Sequence, residues 1–249
     1  MRKIPLILLA AVLALTLMRG APFAAESCQM TFRPNQIDIG ATYNGAILSV
    51  SGTVPEGCSA VVRILGERED EVFKQKGKAL GLLWMNMAAV TIHSVPRVVL
   101  LGLDADTYEN GGPGWQNLGL GFESFRDEEA GDVFDDFLKL KERDGSYDVE
   151  QAVVEYSTAE DGSRQYKAEI AVPSSLHKGV YDVQVFAVRD GQVVCEAEHE
   201  LHVELTGFPA LLARVAFNHS LLYGILATIV AILAGLFMSL VFKDRGGAH

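Results

Sequence analysis

Residues 221–242 read LLYGILATIVAILAGLFMSLVF, a run that holds no charge. As a helix rising 1.5 Å per residue it is about 33 Å long, enough to cross a hydrocarbon core of about 30 Å. The hydroxyls of Thr228 and Ser239 can bond back to carbonyls of the same helix. The stretch therefore predicts a transmembrane helix over 220–242, with everything before it delivered to one side of a membrane. The tail at 243–249 is too short to fold.

The N-terminus decides which side. Arg2 and Lys3 precede an apolar run from Ile4 to Leu17, and small residues with Pro22 follow. That run is too short to span and matches a secretory leader, predicted over residues 1–27 with cleavage before Cys28. Ala24 and Ala25 offer competing cleavage points. An uncleaved anchor or a lipid on Cys28 are alternatives that leave the topology unchanged. Residues 28–206 are then exported, 207–219 form a juxtamembrane segment, and 243–249 are cytoplasmic. Lys243 and Arg245 satisfy the positive-inside rule. The expected location is a bacterial inner membrane, with the N-terminal domain in the periplasm.

The chain carries a formal charge of −11, and loss of the leader makes it more acidic still. No basic face is available to displace counterions, which argues against nucleic acid as a partner. Such a surface also repels anionic headgroups, so attachment to the bilayer rests on the helix.

Between the ends the chain reads as short strands. Ile37 and Ile39 alternate with polar neighbours, and Ala46 to Gly52, Ala60 to Leu65, Val72 to Lys78, Leu82 to His93 and Arg97 to Leu103 follow. β-branched residues recur between Gly, Pro and Asn clusters, which is the all-β pattern. Asn110-Gly111-Gly112-Pro113-Gly114 marks a loop. Val133, Phe134, Phe137, Leu138 and Leu140 then give one apolar helical face, so an amphipathic helix is predicted over 127–142 within an insertion at about 121–145. Strands resume at Val149 to Tyr156, Gln165 to Val172, Val180 to Val188 and Val193 to Leu205, with Asp190-Gly191 as a hairpin turn. Tyr181, entering the penultimate strand, sits where immunoglobulin-like sandwiches keep a tyrosine corner. The predicted fold is an immunoglobulin-like β-sandwich with one inserted helix, followed by the membrane helix. Ala210 to Phe217 is an apolar piece placed at the membrane interface.

Several motifs occur in a shared order: Gly81-Leu82-Leu83-Trp84-Met85-Asn86, Val95-Pro96, Pro173 to Gly179-Val180-Tyr181, Arg189-Asp190-Gly191, Gly207-Phe208 and Tyr223-Gly224. In this order the chain resembles a family of predicted transmembrane proteins first described from alphaproteobacteria, over about residues 32–242. The aromatic that often follows the family's Val-Pro is replaced by Arg97-Val98-Val99. The family has no assigned catalytic residues, so the resemblance transfers none. Its members are often encoded beside permeases resembling sulfite exporters, which implies a multi-spanning partner.

The candidate chemistries are thin. His199 and His202 point to opposite faces of one strand and cannot share an ion; Glu196, Glu198, Glu200 and Glu204 line the face that carries His202. Met85 and Met87, in phase with His93, would suit Cu(I), although methionine beside Trp84 in a core is commoner. Asp104, Asp106 and Asn110 hint at a calcium loop, but the twelfth position is Asn117 instead of Glu. No nucleophile elbow, phosphate loop or dinucleotide fingerprint is present. The reading is a non-enzymatic protein without cofactor or metal, whose exported domain binds or supports a membrane partner. The alternative is an exported sensor or carrier for a small ligand or metal ion.

Two sets of residues are singled out. Folding the first two strands about Thr42-Tyr43 makes residues summing to about 85 face each other, which predicts a Cys28–Cys58 disulfide and leaves Cys195 a buried thiol. In the membrane helix Gly224, Thr228, Ala231, Gly235 and Ser239 line one stripe, which predicts close packing against a multi-spanning partner or self-association.

Overall fold

In the strand Arg164–Val172, Tyr166, Ala168, Ile170 and Val172 are buried while Gln165, Lys167, Glu169 and Ala171 face solvent. One buried face per strand is the rule through most of the β-rich domain before the helical residues 207–242, and it stacks the strands into two layers. The computed structural model describes residues 27–79, 83–110, 118–126, 130–158 and 163–242. The predicted leader, the tail at 243–249 and the glycine-rich loop from 111 lie outside them.

In chain order the described strands are β1 (Gln29–Arg33), β2 (Gln36–Ile39), β3 (Ala46–Val54), β4 (Ser59–Leu65), β5 (Arg68–Ala79), β6 (Leu83–Pro96), β7 (Val99–Gly102), β8 (Tyr147–Glu150), β9 (Val154–Thr158), β10 (Arg164–Val172), β11 (Gly179–Arg189) and β12 (Gln192–Leu205). Helices α1 (Ala105–Asn110) and α2 (Asp132–Arg143) lie between β7 and β8, with a 3-10 turn at Phe122–Phe125. Helices α3 (Gly207–Asn218) and α4 (Ser220–Phe242) end the described chain. One sheet has the order β1-β3-β10-β9, and the other β2-β12-β11-β4-β7-β8. Among the described residues, strands β5 and β6 pair only with each other, as a separate two-stranded sheet.

The main core lies between the two large sheets. Leu48, Val50, Ala168 and Ile170 come from one side, and Val62, Ile64, Val183, Val185 and Leu201 from the other. Strand β4 is buried on both faces, because Val61 joins a second cluster with Leu101, Leu103 and Phe186 that Leu120 covers. A third cluster roots the β5–β6 hairpin: Ile92 and Val95 pack with Phe134 and Phe137 of α2 and with Tyr147. Lys141 of α2, nearly buried, pairs with Glu71 of β5 at the same place.

The predicted sandwich, inserted amphipathic helix and C-terminal apolar helix are what the chain forms, with local differences, among them the short helix α1, which was not predicted beside α2. The helix predicted over 127–142 occupies Asp132–Arg143. The strand predicted from Val149 to Tyr156 is two strands on different sheets: β8 runs parallel to β7, β9 pairs with β10, and Ala152, at φ 56°, turns the chain between them. Asp190 and Gly191 both have positive φ (51° and 72°), the geometry a two-residue hairpin with strand-matched twist requires. The Tyr181 hydroxyl donates to the His177 carbonyl at 3.0 Å, tying the entry of β11 to the corner before it.

One end of the sandwich collects the residues from which the chain leaves. Leu205 lies beside Ile39 in a parallel pairing, Val203 beside Gly179, and Asp182 beside Leu65. The Thr206 N–H donates to Ile39 O at 3.0 Å, and α3 starts at the next residue. The Asp190-Gly191 turn is at the opposite end.

Candidate functional site

The cysteines correct the predicted disulfide. Cys28 is bonded to Cys195 with a Cα–Cα distance of 5.8 Å, and Cys58 is a fully buried thiol. The predicted register placed Cys28 opposite Gly57. In the structure Gln29 faces Thr53 and Met30 faces Gly52, so residues summing to 82 pair. Between Val54 and Ser59 the chain also crosses to the other sheet, with the Cys58 N–H closing the turn onto Pro55 O, and this drops Cys58 into the core. Cys28 meets β12 instead. Cys195 stands beside a bulge, where Ala187 faces Cys195 and Val188 faces Val193; it is half-buried and linked, not the buried thiol expected. With its sulfur in this bond, Cys28 has no thiol for the lipid attachment considered above.

The other sequence candidates come apart in space. His199 and His202 are both exposed, separated by buried Leu201, and His202 lies 4.0 Å from Glu200. The carboxylates of Glu196, Glu198, Glu200 and Glu204 are exposed along one side of β12. Burial first, then the neighbouring Glu198 and Glu200, raise the carboxyl of Asp182 on β11 above the usual range. Met85 is exposed, and Met87 has no opposite residue in the ladder because Gln75 faces Ala88 while Lys76 faces Asn86. That extra residue breaks the phase linking Met85 to His93, and His93 pairs with Asp70. Two bonds, from the Ser94 N–H and from His93, hold the Asp70 carboxyl below its ordinary value.

Asp104, part of the acidic loop that only hinted at calcium, faces inward. It is nearly buried, accepts the Thr107 N–H and so caps α1, and accepts the Tyr156 hydroxyl. Asn117 lies outside the described residues. Among the described residues no group of three or more His, Cys, Asp or Glu is placed to hold a metal.

A pocket that the sequence did not suggest opens beside α2. Tyr108, Phe122 and Tyr147 supply aromatic walls, and Glu123, Glu142 and Asp148 supply carboxylates, around about 420 Å³. These residues come from α1, the 3-10 turn, α2 and β8, so no local motif could have announced them. Glu123 is committed to Arg126.

The membrane helix carries its stripe uncovered. All of α4 is exposed, and it is the one described helix long and apolar enough to cross a membrane. Gly224, Thr228, Ala231, Gly235 and Ser239 recur every three or four residues along it. The Thr228 hydroxyl donates to Gly224 O at 2.8 Å and is satisfied within the helix. Ser220, Gly224 and Thr228, with Leu221, Ile225 and Ile229, border an open apolar groove of about 390 Å³.

Comparison with curated proteins gives no match. Residues 29–244, from the first strand to just past the end of α4, match the model of a family described as "Putative transmembrane protein" (Alph_Pro_TM). With that coverage and one spanning helix at its end, the chain belongs to the Alph_Pro_TM family of transmembrane proteins.

Proposed function

We propose that this protein is a single-pass, non-enzymatic partner subunit, whose exported sandwich and membrane helix together bind and support a multi-spanning membrane protein. The observation that carries the reading is the groove along α4 at Gly224 and Thr228. Small residues let a second helix approach closely, and in lipid such packing is a main source of association because the helix is already out of water. The β5–β6 hairpin adds a second surface. It stands apart from both large sheets, and Val72 and Met85 are exposed on it.

The strand order supports an immunoglobulin-like reading of the exported domain. β1-β3-β10-β9 facing β12-β11-β4-β7 follows the ABED against GFCC′ order of such sandwiches, and Tyr181 makes the corner bond. That architecture is a scaffold for binding and assigns no chemistry by itself. The leader and the Cys28–Cys195 bond favour an oxidising exported compartment, hence the periplasmic face of an inner membrane. A permease resembling sulfite exporters is the partner implied by family resemblance, and self-association through the stripe is the runner-up.

The pocket beside α2 favours a second reading, in which the exported domain senses or carries a small ligand. Aromatic faces with carboxylates would suit an organic cation.

Purification of the full chain in mild detergent separates these. Gly235→Leu should reduce the co-purified membrane protein, and Leu233→Ala should reduce it less. Retention of the same partners by a chain with residues 221–242 replaced by leucine would move the binding site to the sandwich. Loss of any partner, with an organic cation bound in the purified domain, would favour the second reading.

A further inference from the structure

Helix α3 has two unlike sides. Ala210, Ala213 and Arg214, with Phe217 in the last turn, turn toward the sandwich and line, with Gly179 and Leu205, a groove of about 650 Å³. At a step of 100° per residue Phe208, Leu211, Leu212 and Val215 fall on the other side. Phe208, Leu211 and Leu212 are 65, 56 and 44 % exposed, and no described element covers them.

What lies against that apolar side follows from continuity. Only His219 (φ −137°, ψ 54°) separates α3 from α4. The His219 N–H donates to Val215 O, and the Tyr223 N–H donates to His219 O, both at 3.0 Å, so the two helices share one hydrogen-bonded joint. No part of α3 can be farther from the point where α4 enters lipid than its own length of about 18 Å. Charge agrees with this position. The sequence has 32 acidic residues, yet none falls between Glu204 and Asp244. The single formal charge on α3 is Arg214, on the groove side, which is exposed and has a long stem that can carry its guanidinium to headgroup phosphates.

We propose that α3 is an in-plane membrane helix. It lies in the headgroup layer of the leaflet that α4 enters, with Phe208, Leu211, Leu212 and Val215 at the acyl boundary and Ala210 and Ala213 under the sandwich. The inference rests on α4 spanning the bilayer. It sets the end of the sandwich that carries Gly179 and Leu205 against the membrane surface, so a partner's exported loops reach the domain from its sides or far end.

The test uses the full chain in vesicles of phosphatidylcholine and phosphatidylglycerol. Single spin labels are placed through Phe208→Cys, Leu212→Cys, Ala213→Cys and Val230→Cys. Cys28 and Cys195 are bonded to each other and Cys58 is buried, so they do not compete for label. Collisions with dissolved oxygen, relative to those with a water-soluble nickel chelate, should be severalfold more frequent at 208 and 212 than at 213, and high at 230. Equal ratios at 208, 212 and 213, with 230 still lipid-like, would overturn the in-plane helix and leave the span intact. Water-like ratios at 230 as well would remove both. Spin–spin broadening at 212 that disappears on dilution with unlabelled protein would make a second copy the occupant and overturn the lipid assignment.

Discussion

Tyr156 stands between Asp104 and Ala60: its hydroxyl donates to Asp104 Oδ2 and accepts the Ala60 N–H at 2.8 Å. Arg164 lies across the ring, 3.4 Å from its centroid. A residue of β9 thereby fastens the start of β4 and the cap of α1, joining the two large sheets through polar atoms. Tyr156→Phe should cost about 1–3 kcal/mol, because the buried Ala60 N–H loses its acceptor. Urea unfolding of the sandwich domain measures it.

Asp104 gives a pH signature. Burial pushes its carboxyl up, but the bonds from Thr107, Tyr156 and Ser59 together outweigh burial and hold it below the ordinary range. A depressed carboxyl stabilises the fold above its unfolded value of about 3.9 and loses that contribution as pH falls through the lower folded value. The stability gap between the wild type and Asp104→Asn should therefore be constant above about pH 5. It should narrow below that pH; a gap that widened in acid would contradict the assignment.

The disulfide closes a loop of 167 residues. Chain entropy alone gives about 5 kcal/mol for that length, and measured losses usually run about 2–5 kcal/mol. Cys195→Ser should lower the thermal midpoint accordingly. Peptide mapping without reduction should recover Cys28 joined to Cys195, with Cys58 alkylated only after unfolding.

Gly52 of β3 has no room for a side chain beside β1. A Cβ there would sit 1.8 Å from Gln29 O, a backbone atom with no room to yield. Gly52→Ala should destabilise by at least about 1–3 kcal/mol, as overpacking does. Gly40→Ala, whose new methyl would meet only Thr206 Oγ1 at 3.8 Å, is the near-neutral control.

Lys141 and Glu71 hold the hairpin root to α2. Lys141→Met should cost about 1.5–3 kcal/mol, the range for a hydrogen bond to a charged group. Amide exchange should speed up first along β5 and β6, ahead of β10 and β11.

Membrane topology is testable by fusion. Alkaline phosphatase placed after Leu205 should be active and the same enzyme after His249 inactive. The reverse pattern would put the sandwich in the cytoplasm.

The strands were readable because burial imposes a two-residue period, as in Gln165 to Val172, and because Asp190-Gly191 has few backbone options other than a tight turn. Helix α4 was readable from length and absence of charge. What escaped depends on which sheet a strand joins. Val149 to Tyr156 looks continuous in sequence, yet the chain changes sheet at Ala152. The Cys28 partner turned on a register three residues away from the one assumed and on a bulge beside Cys195. Both follow from contacts between strands far apart in the chain. The pocket beside α2 was hidden for the same reason. Helix α3 carried a local signal, Pro209 in its first turn after Gly207, where the missing N–H of proline costs nothing.

Strand β12 also has a mechanical reading. Any pull from the membrane enters the domain at Leu205, along the axis of a strand flanked by antiparallel β11 and, at its last four residues, by parallel β2. The load is then borne in shear by many hydrogen bonds at once, instead of opening them singly from one end. At Cys195 the load meets a covalent stop, since the bond to Cys28 ties the strand to the chain just before β1.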